Sequence, residues 1–170
     1  TSSIPQQYFP PCMQLGLKGL SDGKKRFIFV LYNFLSNTGY SEEEIEAIMH
    51  EWNKNNPEAL RKNYIQAQLS WAKRQKQKIL PPNCNNQAYY PALGICKPDS
   101  FCRLIKNPVN YTLRKHAERE RIEKEQTEKQ EKEKQLKKKQ EKAKAAKTKK
   151  HTSSEEDGAP SAKSRLGKSS

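Results

Sequence analysis

The sequence predicts an all-α domain that is followed by a charged, partly helical tail. No stretch alternates apolar and polar residues as a half-buried strand does, whereas apolar residues recur at helical spacing in several segments. Both Trp, all five Phe and all seven Tyr lie before Thr112. Beyond Thr112, Glu, Lys, Gln and Arg dominate. The core must therefore come from about the first 110 residues, a usual size for one domain.

Three central helices are predicted from apolar stripes and from the residues at their boundaries. Residues 24–40 are apolar nearly all round, which indicates a helix at the centre of the core. Ser41 and Glu44 form a capping box, and the 3.6-residue apolar stripe behind them predicts the next helix. A third helix is predicted to begin at Pro57, and for Trp71 on its apolar face a core position is favoured over a stacking platform.

Shorter elements and changes of composition complete the organisation. Pro11 is placed to begin a short helix, and Asp99 is placed to cap another that Pro108 ends. The last twenty residues are rich in Ser, Gly, Ala and Lys, a composition typical of disorder. The chain therefore divides into an extended arm (1–10), a helical domain (11–112), a charged, partly helical extension (113–150) and a disordered tail (151–170).

The net charge of +14 indicates the kind of partner and not the fold. Residues 1–112 carry 14 Lys and Arg against 8 Asp and Glu, and residues 113–170 carry 19 against 11. Nucleic acid is the commonest partner of such a surface. No apolar run is long enough to span a bilayer, so a membrane partner is not expected. We expect an intracellular protein, in which thiols stay reduced.

The four cysteines form the chemically most informative pattern. Cys12 is separated from Cys84 by 71 residues, Cys96 follows after 11 more, and Cys102 after another 5. Two disulfides are disfavoured inside a cell, and three Cys within 19 residues argue against unrelated buried thiols. Zinc sites usually show two close Cys pairs, whereas an iron–sulfur cluster tolerates more varied spacing. Spacing alone leaves iron–sulfur and zinc near even odds.

The residues around each cysteine resemble a known family. Its members carry a Pro-Pro-Cys segment, a helical region, a Pro-Pro-x-Cys segment, a Gly-[Ile/Leu]-Cys segment, a fourth Cys and a closing His-Pro-Leu-x-Tyr. This chain shows the same order, in segments 10–12, 81–84, 94–96, Cys102 and 107–111. It resembles the C-terminal domain of archaeal and eukaryotic DNA primase large subunits over about 100 residues. Asn107 stands where the family usually has His, and Val109 stands for Leu.

The resemblance implies a cofactor, a function and partners. The four cysteines Cys12, Cys84, Cys96 and Cys102 would hold a 4Fe–4S cluster, around which the helical domain folds. The domain would assist RNA primer initiation in DNA replication by contacting template DNA and the 5′ end of the primer. A catalytic primase subunit or other replication proteins would be its protein partners. The short spacing between the last two cysteines is similar to the archaeal branch. The compartment would be the cytoplasm in an archaeon and the nucleus in a eukaryote.

Basic and aromatic residues at the start of the apolar helix, along the third helix and beside the fourth cysteine are the candidate nucleic-acid contacts. The family carries basic residues and a Tyr-containing segment at similar places, and phosphates favour helix starts. The candidates are Lys24, Lys25, Arg26, Arg61, Lys62, Tyr64, Lys73, Arg74 and Arg103. The Lys-rich part of the extension is expected to add nonspecific, salt-sensitive affinity.

Catalysis by this chain alone is not expected. Polymerase chemistry needs carboxylates that hold divalent metal ions, and the acids of the helical domain cluster in residues 42–51, at a helix start, without a paired-aspartate motif. The expected role is accessory to a nucleotidyltransferase. The alternative function is a zinc-stabilised DNA- or RNA-binding adaptor that is not involved in priming. A redox-active electron-transfer protein is a third class.

Overall fold

The computed structural model describes the backbone of residues 2–156 and 167, and the side chains of 2–151 and 167. These residues form five α-helices and two short 3₁₀ helices, and none of them lies in a strand. The predicted all-α class is confirmed. The helices are α1 (Pro11–Leu17), α2 (Lys24–Asn37), α3 (Glu42–Asn55), α4 (Lys62–Lys73) and α5 (Pro108–Glu156), and the 3₁₀ helices span Gln6–Tyr8 and Ser100–Leu104. No described helix is apolar over enough residues to cross a bilayer.

Helix α2 lies at the centre of the core, as its composition predicts. Its buried side chains face several neighbours at once, and α3 and α4 both pack against it. Gly23 precedes it with a φ of 77°, a left-handed conformation that glycine adopts without strain. Its buried hydrophobic residues are Phe27, Ile28, Val30, Leu31, Tyr32, Phe34 and Leu35.

Helix α3 begins with the predicted capping box. The Glu44 N–H donates to Ser41 Oγ at 3.2 Å, and the Ser41 N–H donates to Glu44 Oε2 at 2.7 Å. The stripe behind the cap buries Trp52, whose Nε1 donates to the Gly16 carbonyl at 2.9 Å. Gly16 leaves no room for a side chain, because a Cβ there would lie 2.2 Å from the Phe27 ring. This close contact brings α1, α2 and α3 together.

The predicted start of α4 at Pro57 is wrong, because the helix begins at Lys62. The Asn53 side chain engages both backbone groups of Leu60: its Oδ1 accepts from the Leu60 N–H at 2.8 Å, and its Nδ2 donates to the Leu60 carbonyl at 2.8 Å. These bonds replace helical bonds and hold residues 57–61 outside the helix. The placement of Trp71 in the core is also wrong, because its side chain is 46% exposed while Ile65 and Leu69 of α4 are buried.

Pro108 does not end the short helix, as the sequence predicts, because that helix has already ended at Leu104. Pro108 instead begins the long helix α5. The Val109 N–H donates to Asn107 Oδ1 at 3.0 Å, and Val109, Tyr111 and Thr112 are buried. The chain forms one compact unit up to Glu120 and a second from Arg121. Of the predicted tail 151–170, residues 151–156 are helical, and the remainder apart from Gly167 lies outside the described residues.

Candidate metal centre and nucleic-acid surface

The four cysteines reach one cavity from four separate segments of the chain. Cys12 lies in the first turn of α1, Cys84 and Cys96 lie in loops, and Cys102 lies in the second 3₁₀ helix. All four line a cavity of about 150 Å³. The other lining residues are mostly apolar: Pro10, Pro11, Tyr90, Lys97, Pro98, Ile105 and Pro108. The structure thus brings together all four cysteines that the sequence singles out.

The donor set around this cavity consists of thiols alone. Cys12, Cys84 and Cys102 are half-buried and Cys96 is exposed, and none forms a disulfide. Within residues 2–151, no three His, Cys, Asp or Glu side chains lie close enough together to hold a single metal ion. The identity of the four cysteines as ligands therefore stays a prediction.

Burial raises the pKa of three of the four thiols. It raises the pKa of the Cys12 thiol far above its ordinary value, and the nearby Cys84 adds to the rise. It raises the pKa of Cys84 to about 11, with further contributions from Cys102 and Cys96. The pKa of Cys102 is raised by burial as well. At neutral pH these three thiols keep their protons, so a metal group that binds them as thiolates must displace those protons.

Tyr90 holds two of the cysteine-bearing loops in place. Its hydroxyl donates to the Pro82 carbonyl at 2.6 Å, two residues before Cys84. Its own carbonyl accepts from the N–H groups of Ile95 at 3.1 Å and Cys96 at 3.2 Å. Because the Tyr90 ring is fully buried, these bonds fix both loops to the core. The positions of Cys84 and Cys96 therefore depend on one core residue.

Asp99 organises the segment around Cys102. Its Oδ1 accepts from the N–H groups of Phe101 and Cys102, both at 3.0 Å, and so caps the short helix as predicted. Its Oδ2 accepts from the Tyr111 hydroxyl at 2.5 Å. Partial burial would raise the pKa of Asp99, but these hydrogen bonds, first among them that of Tyr111, outweigh burial and lower it. A carboxylate thus anchors the fourth cysteine to α5.

Four of the nine candidate nucleic-acid residues lie together at the start of α2 and α4. Lys24, Lys25, Arg61 and Tyr64 line an open cavity of about 320 Å³. Lys24 Nζ donates to the Glu58 carbonyl at 2.5 Å, and Lys25 Nζ lies 4.7 Å from the centre of the Tyr64 ring. We call this group the basic site. It combines cations with an aromatic ring.

The other five candidates lie elsewhere. Arg26 Nη1 donates to the Ala88 carbonyl at 2.5 Å and so supports the loop before Cys96. Lys62 is exposed at the start of α4 but does not line the basic site. Lys73 and Arg74 lie at the other end of α4, about 18 Å from Arg61 along its axis. Arg103 is exposed beside Cys102.

Comparison with known proteins identifies the family. A family model for the C-terminal domain of the large subunit of eukaryotic and archaeal DNA primase matches residues 2–156. The chain belongs to this family. The resemblance that the cysteine-flanking segments indicate is therefore confirmed, and the match does not separate the archaeal type from the eukaryotic one. No curated protein and no solved structure matches the chain. Membership of the primase large-subunit family assigns the chain a role in DNA replication.

Asn107 departs from the usual residue of the primase large-subunit family, and the structure shows what it does. Its side chain is buried, with 3% of the residue exposed. Its Nδ2 donates to the Pro81 carbonyl at 2.7 Å and to Asn83 Oδ1 at 3.0 Å, while its Oδ1 accepts from Val109. Beside it, the Cys84 N–H donates to the Lys106 carbonyl at 2.8 Å. Asn107 thus joins the loop of the second cysteine to the start of α5.

Sequence reasoning missed the roles of Tyr90 and Asn107 and the exposure of Trp71 in this member of the primase family. No local sequence pattern distinguishes the buried Tyr90 from its neighbour Tyr89. The polar surroundings of Trp71, which precedes the basic residues 73–78, were the one indication that it is exposed. The loop contacts of Asn107 span more than twenty residues and leave no local pattern.

Proposed function

We propose that the chain is a noncatalytic, nucleic-acid-binding domain that holds a 4Fe–4S cluster through Cys12, Cys84, Cys96 and Cys102 and assists RNA primer initiation. The observation that carries the proposal is the cavity that all four cysteines line, in a chain that belongs to the primase large-subunit family. When bound, the cluster supplies four iron–thiolate bonds that cross-link the segments.

The size and chemistry of the cavity fit a cluster better than a single zinc ion. Zinc holds each thiolate sulfur at about 2.3 Å, which leaves almost no space between the ligands. The four cysteines instead line a cavity of about 150 Å³, which is large enough for a group of several atoms. Proline and isoleucine side chains around the sulfurs would keep water from a bound cluster. These features support a multi-atom group with four sulfur ligands.

The basic site has the chemistry for the 5′ end of a primer and the template beside it. Lys24, Lys25 and Arg61 supply cations for phosphate oxygens. Tyr64 supplies a ring face for a base or ribose. Phosphodiester bonds would be made by a catalytic primase subunit, which we propose as the protein partner together with template DNA and RNA primer.

Metal content and junction binding test the proposal together. We expect anaerobically purified protein to absorb in the visible range and to contain iron and acid-labile sulfide. Lys25→Glu with Arg61→Glu should weaken binding to a labelled primer–template junction by about tenfold or more at moderate salt, since two phosphate contacts become repulsive. Both side chains are exposed, so iron content should not change.

Two results would contradict the proposal. A colourless protein with one bound zinc would replace the cluster with the alternative, a zinc-stabilised adaptor. Unchanged junction affinity in the double variant would remove the basic site from the interface. Lys124→Glu with Lys129→Glu is the matched control, because it changes the net charge equally in a segment remote in sequence.

A further inference from the structure

Helices α2 and α4 lie side by side with their corresponding ends together. At one end Lys25 of α2 lies over the Tyr64 ring of α4. At the other end Lys78, which follows α4, donates from Nζ to the Ser36 carbonyl of α2 at 2.9 Å. Between the two ends, Ile28 and Phe29 face Gln68 and Leu69 across a small cavity. The two helices therefore lie in parallel and border a narrow groove, the α2–α4 cleft, with the basic site at one end of the helix pair.

The far end of this α2–α4 cleft widens into a cavity of about 150 Å³. It shares the lining residues Tyr32, Asn33, Trp71 and Ala72 with the small cavity in the middle, so the two cavities adjoin. The exposed Trp71 forms part of its wall. Its basic lining residues are Lys73, Lys76 and Lys78. This end thus repeats the combination found at the basic site, namely cations around an aromatic ring.

The spacing of the two aromatic residues matches a nucleotide strand. Tyr64 and Trp71 are seven residues apart on α4, which places them on the same face about 10 Å apart along the axis. Stacked bases rise about 3.4 Å each, so this distance corresponds to about three nucleotides. Both rings are partly exposed, whereas Ile65 and Leu69 turn into the core.

The charges around the cavity at the far end favour a strand whose phosphates lie on the rim of this cavity and whose base enters it. Lys76 is exposed on the rim. The acidic neighbours are engaged within the protein: Glu46 Oε2 lies 3.9 Å from Lys73 Nζ, and Glu42 Oε1 accepts from the Tyr32 hydroxyl at 2.7 Å. Glu42 Oε2 is buried without a hydrogen-bond partner among the described residues. A carboxylate at this depth repels phosphate and attracts the N–H groups of a base.

We propose that the partly exposed rim of the α2–α4 cleft, along Tyr64, Gln68 and Trp71, is a track for single-stranded nucleic acid and that Trp71 is its second base-stacking position, about three nucleotides from the basic site. This inference rests on the proposed function, since the strand enters the cleft from the basic site. Trp71 stacks on a base, and Lys73 and Lys76 bind the phosphates on either side of it. The occupant is single-stranded template DNA rather than a peptide, because each end of the cleft combines an aromatic ring with cations. The distance between the two rings also matches the spacing of nucleotides.

The length of the bound strand tests this inference. The full chain with its cluster is titrated with labelled oligothymidylates of about two and about twelve nucleotides. Trp71→Ala should weaken binding of the longer strand about tenfold and that of the shorter strand less than about twofold, because the shorter one fills the basic site alone. Trp71→Phe keeps a stacking face and should restore most of the affinity.

Two further readouts separate this inference from the proposed function. Lys76→Glu should weaken binding of the longer strand only, whereas its matched control Lys129→Glu should leave both unchanged. Binding of the longer strand should quench tryptophan fluorescence, and Trp71→Phe should abolish the quenching, because Trp52 is only 1% exposed. One outcome would refute the track alone: Lys25→Glu with Arg61→Glu weakens binding of both strands while Trp71→Ala weakens neither. The proposed role of the basic site would then still be supported. If Trp71→Ala instead weakens binding of an acidic peptide but not of either strand, the cleft is a peptide site and the inference is wrong.

Discussion

The amide of Asn107 shows how much one side chain can contribute at the scale of a residue. One nitrogen donates to two acceptors in the Pro81–Asn83 segment, and one oxygen accepts from the first turn of α5. An amide can do both at once because it carries donors and acceptors on neighbouring atoms. A neutral imidazole also offers one donor and one acceptor. Asparagine and histidine can therefore both donate and accept a hydrogen bond at this position.

Asn107→Ala is expected to lower the free energy of unfolding by about 1–3 kcal/mol, because buried partners lose their hydrogen bonds. Asn107→Asp should lower it further, since a carboxylate would face the Pro81 carbonyl and Asn83 Oδ1. Asn107→His should be the mildest of the three. Urea denaturation measures the free energy, and with the proposed cluster bound, the rate of loss of its visible absorbance in air reports the loop of Cys84.

The exposed Asn85 provides the matched control in the same loop. Asn85→Ala should change the free energy of unfolding by less than about 0.5 kcal/mol. A similar loss in both variants would show that the loop tolerates no alanine, and that the buried amide of Asn107 has no special role.

At the scale of the element, local sequence signals predict most helices. Hydrogen bonds from neighbouring elements, however, can move the residue at which a helix begins. The capping box of Ser41 and Glu44 and the stripe behind it predict α3, because every bond involved lies within one turn. The start of α4 is mispredicted, because Pro57 is a good first-turn residue but Asn53 holds Leu60 from the preceding helix. Trp71 is mispredicted because apolar character alone does not separate a core face from an exposed face.

Helix α5 carries its charge unevenly, and this predicts a salt dependence. Residues 121–136 hold five basic and five acidic residues, whereas residues 137–150 hold eight Lys and one Glu. The changes Lys137→Gln, Lys138→Gln and Lys139→Gln should weaken nonspecific binding to DNA and flatten its dependence on salt. The slope of log affinity against log salt should fall by up to about 0.7 for each phosphate of single-stranded DNA that is no longer neutralised.

The same helix supplies the control for this prediction. Lys124→Gln, Lys129→Gln and Lys132→Gln remove the same charge from the balanced segment, where nearby Glu side chains already neutralise it. Glutamine forms helices about as well as lysine, so helicity should be preserved in both triple variants. Equal slopes in the two variants would show that position along the helix does not matter.

At the scale of the whole molecule, the convergence of the four cysteines could not be predicted from their spacing. That spacing leaves zinc and iron–sulfur near even, because a separation of 71 residues says nothing about distance in space. The residues flanking each cysteine indicate the family, and the structure shows why they matter. Pro10, Pro11 and Pro108 form the walls of the cavity, while Tyr90 and Asn107 hold its loops. These interactions join segments that lie far apart in the chain.

Cys96→Ser tests whether the fold depends on a bound group. Cys96 is exposed, so in chelator-treated protein the change should alter the free energy of unfolding by less than about 0.5 kcal/mol. In the protein as purified it should lower the Tm strongly, because binding to the folded state contributes to stability and one ligand is removed. Each kcal/mol corresponds to roughly 4–8 °C in a domain of about this size. Calorimetry of both proteins, before and after chelation, measures the difference, and a small Tm change in all four samples would show that Cys96 binds no stabilising group.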